Sequence, residues 1–174
     1  EKTNEFIRTL LRQYQDGGRL PIWELAANYT DCMIGYHSIP VIVDAYVKGI
    51  RDWDIELALE AMIKSAQSNS FGLAAYKENG FIKASDEPES VSKTLEYAFD
   101  DWCIAIMADS LGKDSIAEIF YKRAQYYKNL YDPGSGFFRG KNAYSWFRPF
   151  KPEEVNFHYT EANAWQYSLF TPQD

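Results

Sequence analysis

Apolar residues in this chain recur at the spacing of helical turns, and no stretch alternates cleanly at period two between turn residues. That pattern confines the chain to the all-α class, because helices and strands bury different positions of the same sequence. A first helix is expected over residues 3–14, with Phe6, Ile7, Leu10, Leu11 and Tyr14 on one stripe and Asp16-Gly17-Gly18 as its stop. A second, over 33–48, is apolar nearly all round, which predicts burial; Pro40 should kink it or mark its first turn. A third covers 54–68, and residues 69–88, bearing Gly, Asn, Ser and Pro, read as a connection. A fourth, over 90–111, carries Val91, Leu95, Ala98, Trp102, Ala105 and Ile106 in register, with Phe99, Cys103 and Met107 opposite. The fifth opens on Ser115-Ile-Ala-Glu118, a capping-box pattern, and runs to about residue 131. After the turn Asp132-Pro-Gly-Ser-Gly136 and an aromatic loop over 137–159, a sixth helix is expected from Thr160.

Helices joined by loops that alternate between short and long suit part of an (α/α)6 toroid, in which the long loops gather at one mouth. Residues 1–174 read as a piece of one such domain. The chain opens on Glu1 rather than Met, so it is expected to be cut from a longer protein, and a missing leader says nothing of compartment.

Charge narrows the partners. A net charge of −7 disfavours nucleic acid and anionic membranes, which call for a basic patch, and no apolar run is long enough to span a bilayer. Aromatic residues make up 17% of the chain, a supply that serves sugar platforms as well as helical cores. The two cysteines, Cys32 and Cys103, sit in apolar contexts and are expected as buried free thiols rather than a disulfide framework. The segment Ala124-Gln-Tyr-Tyr-Lys-Asn-Leu-Tyr-Asp-Pro133 is similar to the end of a tetratricopeptide repeat. The rest of that repeat does not recur, which leaves a non-catalytic helical scaffold binding sugar or protein as the competing class.

No nucleophile elbow, phosphate loop or dinucleotide fingerprint is present. Carboxylates among aromatics remain, and splitting a glycosidic bond needs two of them: one protonated toward the leaving oxygen, one activating water or attacking the sugar. Glu161, in His158-Tyr-Thr-Glu-Ala-Asn-Ala-Trp-Gln-Tyr167, is the foremost candidate. A helix starting at Thr160 would put it in the first turn, where it could equally do no more than complement the helix dipole. Asp100 and Asp101 point about 100° apart on a helix, so one is expected to be solvated and the other a structural hydrogen bonder. Asp44 and His37 have ordinary accounts as a satisfied acid and a core histidine, and Trp23 and Trp146 as loop anchors.

Four ordered segments resemble family 92 of the glycoside hydrolases, the exo-acting α-mannosidases. They are Gly18-Arg-Leu-Pro-Ile-Trp23; Met33-Ile-Gly-Tyr-His37 continuing to Asp44-Ala-Tyr-Val-Lys-Gly-Ile50; Ser90-Val-Ser-Lys-Thr-Leu-Glu-Tyr97 with Asp100-Asp-Trp-Cys103; and Tyr159-Thr-Glu-Ala-Asn-Ala-Trp-Gln-Tyr167. Tyr127-Lys-Asn-Leu-Tyr-Asp-Pro133 and Gly136-Phe-Phe-Arg139 fall in the family's run between the last two. The resemblance implies a toroid packed against a β-sandwich domain, calcium-dependent and inverting hydrolysis of terminal α-1,2-linked mannose from glycans, and export by glycan-degrading bacteria. It implies that Glu161 is the general acid. Beside it, Trp165 and Gln166 are expected to border the sugar, and His37 and Trp23 to line the mouth. The base and calcium segments of the family have no counterpart in this chain, so the chain alone is expected to be inactive, with calcium ligands outside it. Two positions depart from the family pattern: Ala162 where Gly is common, and Gln173 where His is common.

Overall fold

The computed structural model describes residues 2–26 and 28–174. The chain forms two compact units, Glu1–Ser68 with Asp100–Tyr121, and Asn69–Phe99 with Lys122–Asp174. Both are built mainly of helices, and the all-α class expected of part of an (α/α)6 toroid holds. Among the described residues, two antiparallel pairs of two-residue strands depart from it.

In the first unit, α1 (Lys2–Gly17) buries Asn4, Ile7, Leu11 and Tyr14 at helical spacing, and Gly18 closes it at φ +81, its N–H donating to the Tyr14 carbonyl. Phe6, expected on that stripe, is 66% exposed, because it lies to one side of the buried line. A short hairpin pairs β1 (Glu24–Leu25) with β2 (Asn28–Tyr29). Helix α2 (Ser38–Val47) begins five residues later than expected; Pro40 sits in its first turn, where its missing N–H has no intrahelical partner to lose. Nor is α2 buried all round. Val41, Asp44, Val47 and Lys48 form a solvent side, tied by an Asp44–Lys48 pair at 2.7 Å, whereas Ile39, Ile42, Val43 and Tyr46 face the core.

Helix α3 (Ile55–Ala66) starts at the Asp54 N-cap, whose carboxylate accepts from the Leu57 N–H at 2.9 Å. The buried apolar side chains of this unit include Ile7, Leu11, Ile42, Ala58, Met62, Ile104 and Met107. Helix α5 (Ser90–Ser110) gives its second half to this unit and its first half to the other. Gly112, at φ +68, turns the chain into α6 (Asp114–Arg123). That helix starts one residue before the expected cap: the Ala117 N–H reaches the Lys113 carbonyl, so Lys113 holds the cap position, Ser115 is already helical, and Asp114 supplies the negative charge at the positive end.

In the second unit, the expected connection contains α4 (Leu73–Asn79), a helix of seven residues bounded by left-handed Gly72 and Gly80 that buries Leu73 and Tyr76. The continuous fifth helix expected to reach residue 131 breaks after Arg123. A 3-10 turn over Tyr126–Leu130 follows, and then a hairpin of β3 (Tyr131–Asp132) and β4 (Phe137–Phe138). Asp132 shapes that hairpin's turn by accepting the Gly134 N–H at 3.0 Å. The last helix, α7 (Ala164–Tyr167), has only four residues and starts after Glu161 rather than before it. Beneath it lies a cluster of Val91, Leu95, Leu130, Phe138, Tyr159 and Ala162.

Candidate active site

The segment that carries Glu161 is a turn, not a helix start. Glu161 sits at φ +51, in the left-handed region that residues with a Cβ rarely adopt. It is exposed, while its neighbours are held on every side. Tyr159 is buried and its phenol donates to the Phe138 carbonyl at 2.8 Å. The Thr160 N–H donates to the Ser92 hydroxyl at 2.8 Å. Ala162 is buried in the apolar cluster, so the methyl that departs from the family pattern adds to the core. Asn163 then caps α7 reciprocally: its side chain accepts the Gln166 N–H at 3.2 Å, and its own N–H donates to Gln166 Oε1 at 3.0 Å. Glu161 therefore lies outside the first turn of α7. What the fold provides is an exposed carboxylate on a turn fixed from both ends.

Trp165 and Gln166 share this turn. Trp165 is 60% exposed and meets Phe137 edge-on at 4.7 Å between ring centroids, leaving most of the indole to solvent. The Gln166 amide oxygen is committed to the cap. Tyr167 is half-buried, and its phenol donates to Glu96 Oε1 at 2.8 Å. Behind the turn, His158 is buried against Phe147 and Phe157, at 4.5 and 4.2 Å between ring centroids, and neither ring nitrogen has a hydrogen-bond partner. Burial pushes its pKa below the usual histidine value. A cavity of about 240 Å³ adjoins it, lined by Gly140, Phe147, Phe150 and Asn156 among others.

Gln173 reaches the Ala124 carbonyl through Nε2 at 3.5 Å and leaves Oε1 buried without a partner. The neighbouring Asp174 accepts from the Tyr127 phenol and pairs with Lys128.

His37 and Trp23 belong to the first unit, so the structure groups Glu161 with Trp165 and Gln166 and describes the other two separately. His37 Nδ1 lies 2.9 Å from Asp100 Oδ1, and the other oxygen of that carboxylate accepts the Tyr36 N–H at 2.8 Å. Asp101 accepts the Tyr36 phenol at 2.5 Å. Both aspartates are fully buried, against the expectation that one would be solvated: because they diverge on the helix, each finds its own donors. Burial first, and Asp100, Asp101 and Asp44 after it, raise the pKa of the Cys103 thiol, which is a buried free cysteine as expected. Cys32, expected to be buried, is exposed in the irregular segment before α2. Trp23 is 47% exposed, and its carbonyl anchors Thr30 through both N–H and hydroxyl.

Sequence reasoning passed over Ser92, Glu96 and Tyr167, all of which touch the Glu161 segment or its end. Polar residues four apart on an otherwise buried helix were the available signal. Among the described residues, no three of His, Cys, Asp and Glu come together as a metal centre would need, and no helix is long and apolar enough to cross a membrane.

Solved structures share this fold. A family 92 α-mannosidase of Bacteroides thetaiotaomicron superposes on the whole chain with a TM-score of 0.95 at 40% identity; its complex with mannoimidazole does so at 0.95 and 39%. A family 92 inverting mannosidase of the same organism matches 95% of the chain with a TM-score of 0.89 at 37% identity. A protein of Arthroderma benhamiae described as an uncharacterized secreted glycosidase is 32% identical over 70% of the chain. The chain spans 24% of each of those solved structures and 18% of that secreted relative. The model of the glycosyl hydrolase family 92 catalytic domain matches residues 1–174, and the chain belongs to that family.

Proposed function

We propose that the protein carrying this domain is an exo-acting α-mannosidase that removes terminal α-1,2-linked mannose from glycans with inversion, and that Glu161 is its general acid. The observation that carries the reading is Glu161 itself: an exposed carboxylate on a left-handed turn whose flanking residues are bonded in place. Backbone held in a sparsely populated region costs about 1–3 kcal/mol and persists only where the surroundings over-determine it, as they do at sites of function. A carboxyl so placed can hand its proton to a departing glycosidic oxygen.

An inverting reaction also needs a base carboxylate about 6.5–9.5 Å away, with water between. In this reading the base lies elsewhere in the parent protein, as do the calcium ligands. Among the described residues, no three of His, Cys, Asp and Glu come together to hold the ion. Trp165, with its indole open to solvent, is proposed to stack on sugar beside Glu161, and Gln166 to border it. His37, oriented by Asp100, and Trp23 are proposed to line the mouth. The rest of the toroid and a β-sandwich domain of the same chain would complete the enzyme, and the isolated chain would be inactive. Export is proposed with it, in keeping with the secreted glycosidase it resembles.

The test is mannose release by the full-length protein from α-1,2-, α-1,3- and α-1,6-linked mannobiose, with calcium and with a chelator, following the anomer first released. Preference for the α-1,2 linkage, loss on chelation and initial β-mannose are expected. Release of α-mannose would remove inversion, and indifference to the chelator would remove calcium. No release from any linkage would favour a sugar-binding scaffold.

A further inference from the structure

Ser92 and Glu96 lie four residues apart on α5, so their side chains stand one above the other on one face of the helix. Each takes one end of the segment that bears Glu161. The Ser92 hydroxyl, wholly buried, accepts from the N–H of Thr160, the residue just before the acid. The Glu96 carboxylate accepts from the phenol of Tyr167, the last residue of α7. Backbone bonds reinforce the grip: the Val91 and Ser92 N–H groups both donate to the His158 carbonyl, and the Glu89 N–H donates to the Phe157 carbonyl. These are donors that a helix start leaves without intrahelical partners. Burial first, and the Glu96 carboxylate next, raise the pKa of the Tyr167 phenol. Its proton therefore stays in place, and the Tyr167–Glu96 bond keeps one direction throughout neutral pH.

We propose that Ser92, Glu96 and Tyr167 are positioning residues for Glu161, one helix face setting where the carboxyl of the acid stands. The proposal rests on the reading of Glu161 as general acid. The physical need is plain. A left-handed glutamate would relax to an ordinary backbone conformation if the turn were released at either end, and its carboxyl would swing away from the glycosidic oxygen. None of the three residues has to touch sugar. Their effect reaches the reaction only through the aim of Glu161.

That route leaves a signature which general loss of structure does not. A disaccharide needs its leaving oxygen protonated, whereas a dinitrophenolate leaves without help from an acid. Ser92→Ala and Tyr167→Phe in the full-length protein should each lower kcat/KM on α-1,2-mannobiose by on the order of 10²-fold, the cost of a misplacement of about 1 Å. Both should stay near wild type on 2,4-dinitrophenyl α-mannoside. Tyr167→Phe removes one oxygen and keeps the ring in the cluster, so it decides the matter should Ser92→Ala not fold. Equal losses on both substrates, or no loss on either, would overturn the proposal. Glu161→Gln, run beside them, separates the two levels. If it spares the activated substrate and the other variants do not, only the positioning role falls. If it too fails to discriminate, the acid assignment falls and takes the positioning role with it.

Discussion

Arg139 donates to Asp132 at 2.9 Å with both side chains about nine-tenths buried, and its second guanidinium nitrogen donates to the Phe147 carbonyl at 2.8 Å. The guanidinium carbon also stands 4.1 Å from the centre of the Phe150 ring. One side chain thus joins the β3–β4 hairpin to the aromatic loop that precedes the Glu161 turn. Removing Asp132 would leave a buried cation without its partner, which costs about 3–5 kcal/mol. Asp132→Ala is therefore expected to lower the thermal midpoint strongly, whereas Arg139→Lys, which keeps charge but loses the fork, should lower it less. Differential scanning calorimetry would check both, and an unchanged midpoint in Asp132→Ala would contradict the role.

The same pair dictates a response to acid. Burial alone would raise the Asp132 pKa, but bonds from Ser135, the Gly134 N–H and Arg139 hold it below the usual carboxylate range. With the folded pKa depressed, its contribution is complete above the unfolded value of about 3.9 and is lost as pH falls through the folded value. Denaturant titrations between pH 5 and pH 2, at roughly half-unit steps, should show stability falling in the wild type below about pH 4. The fall should be shallower in Asp132→Ala.

His158 acts in a higher window. Its folded pKa is depressed by burial, so the neutral ring is favoured in the fold while the unfolded chain takes up a proton near pH 6.5. The contribution is full above that value and is lost as pH falls toward the folded pKa. Because neither ring nitrogen has a partner, His158→Leu should leave stability at pH 8 nearly unchanged and flatten its decline between about pH 6.5 and 5. A large loss at pH 8 would mean that the imidazole makes a bond the structure does not contain.

The two cysteines should part in reactivity. Cys32 is exposed, whereas Cys103 is buried with its thiol pKa raised, and the thiolate is the reactive form. Alkylation of the native protein followed by peptide mapping should mark Cys32 alone, and Cys103 only after denaturation. Labelling of Cys103 in the native state would contradict its burial.

Much of the fold was legible because long helices repeat one rule. Val91, Leu95 and Ala98 announced α5, and Ile7, Leu11 and Tyr14 announced α1. Short elements carry too few repeats to announce themselves. Leu73 and Tyr76 are the buried pair of α4, and two residues between glycines read as loop. The start of α7 was misplaced for another reason. Thr160 has the chemistry of a cap, but Asn163 with Gln166 forms the reciprocal box, and the left-handed backbone at Glu161 excludes helix before it. The candidate acid was found through its motif, whereas Ser92 and Glu96 were hidden in a helix that looked merely buried. Their partners, Thr160 and Tyr167, lie 68 and 71 residues further along the chain, a distance no local pattern spans.

In the proposed reaction, Glu161 protonates the departing sugar oxygen. The most direct test is kcat/KM for mannose release from α-1,2-mannobiose by the full-length protein in calcium, comparing wild type with Glu161→Gln. The glutamine keeps the shape of the side chain and cannot donate a carboxyl proton, so a loss of about 10²–10⁴-fold in a folded variant is predicted. Wild-type activity in the variant would contradict the assignment and return Glu161 to an exposed turn residue.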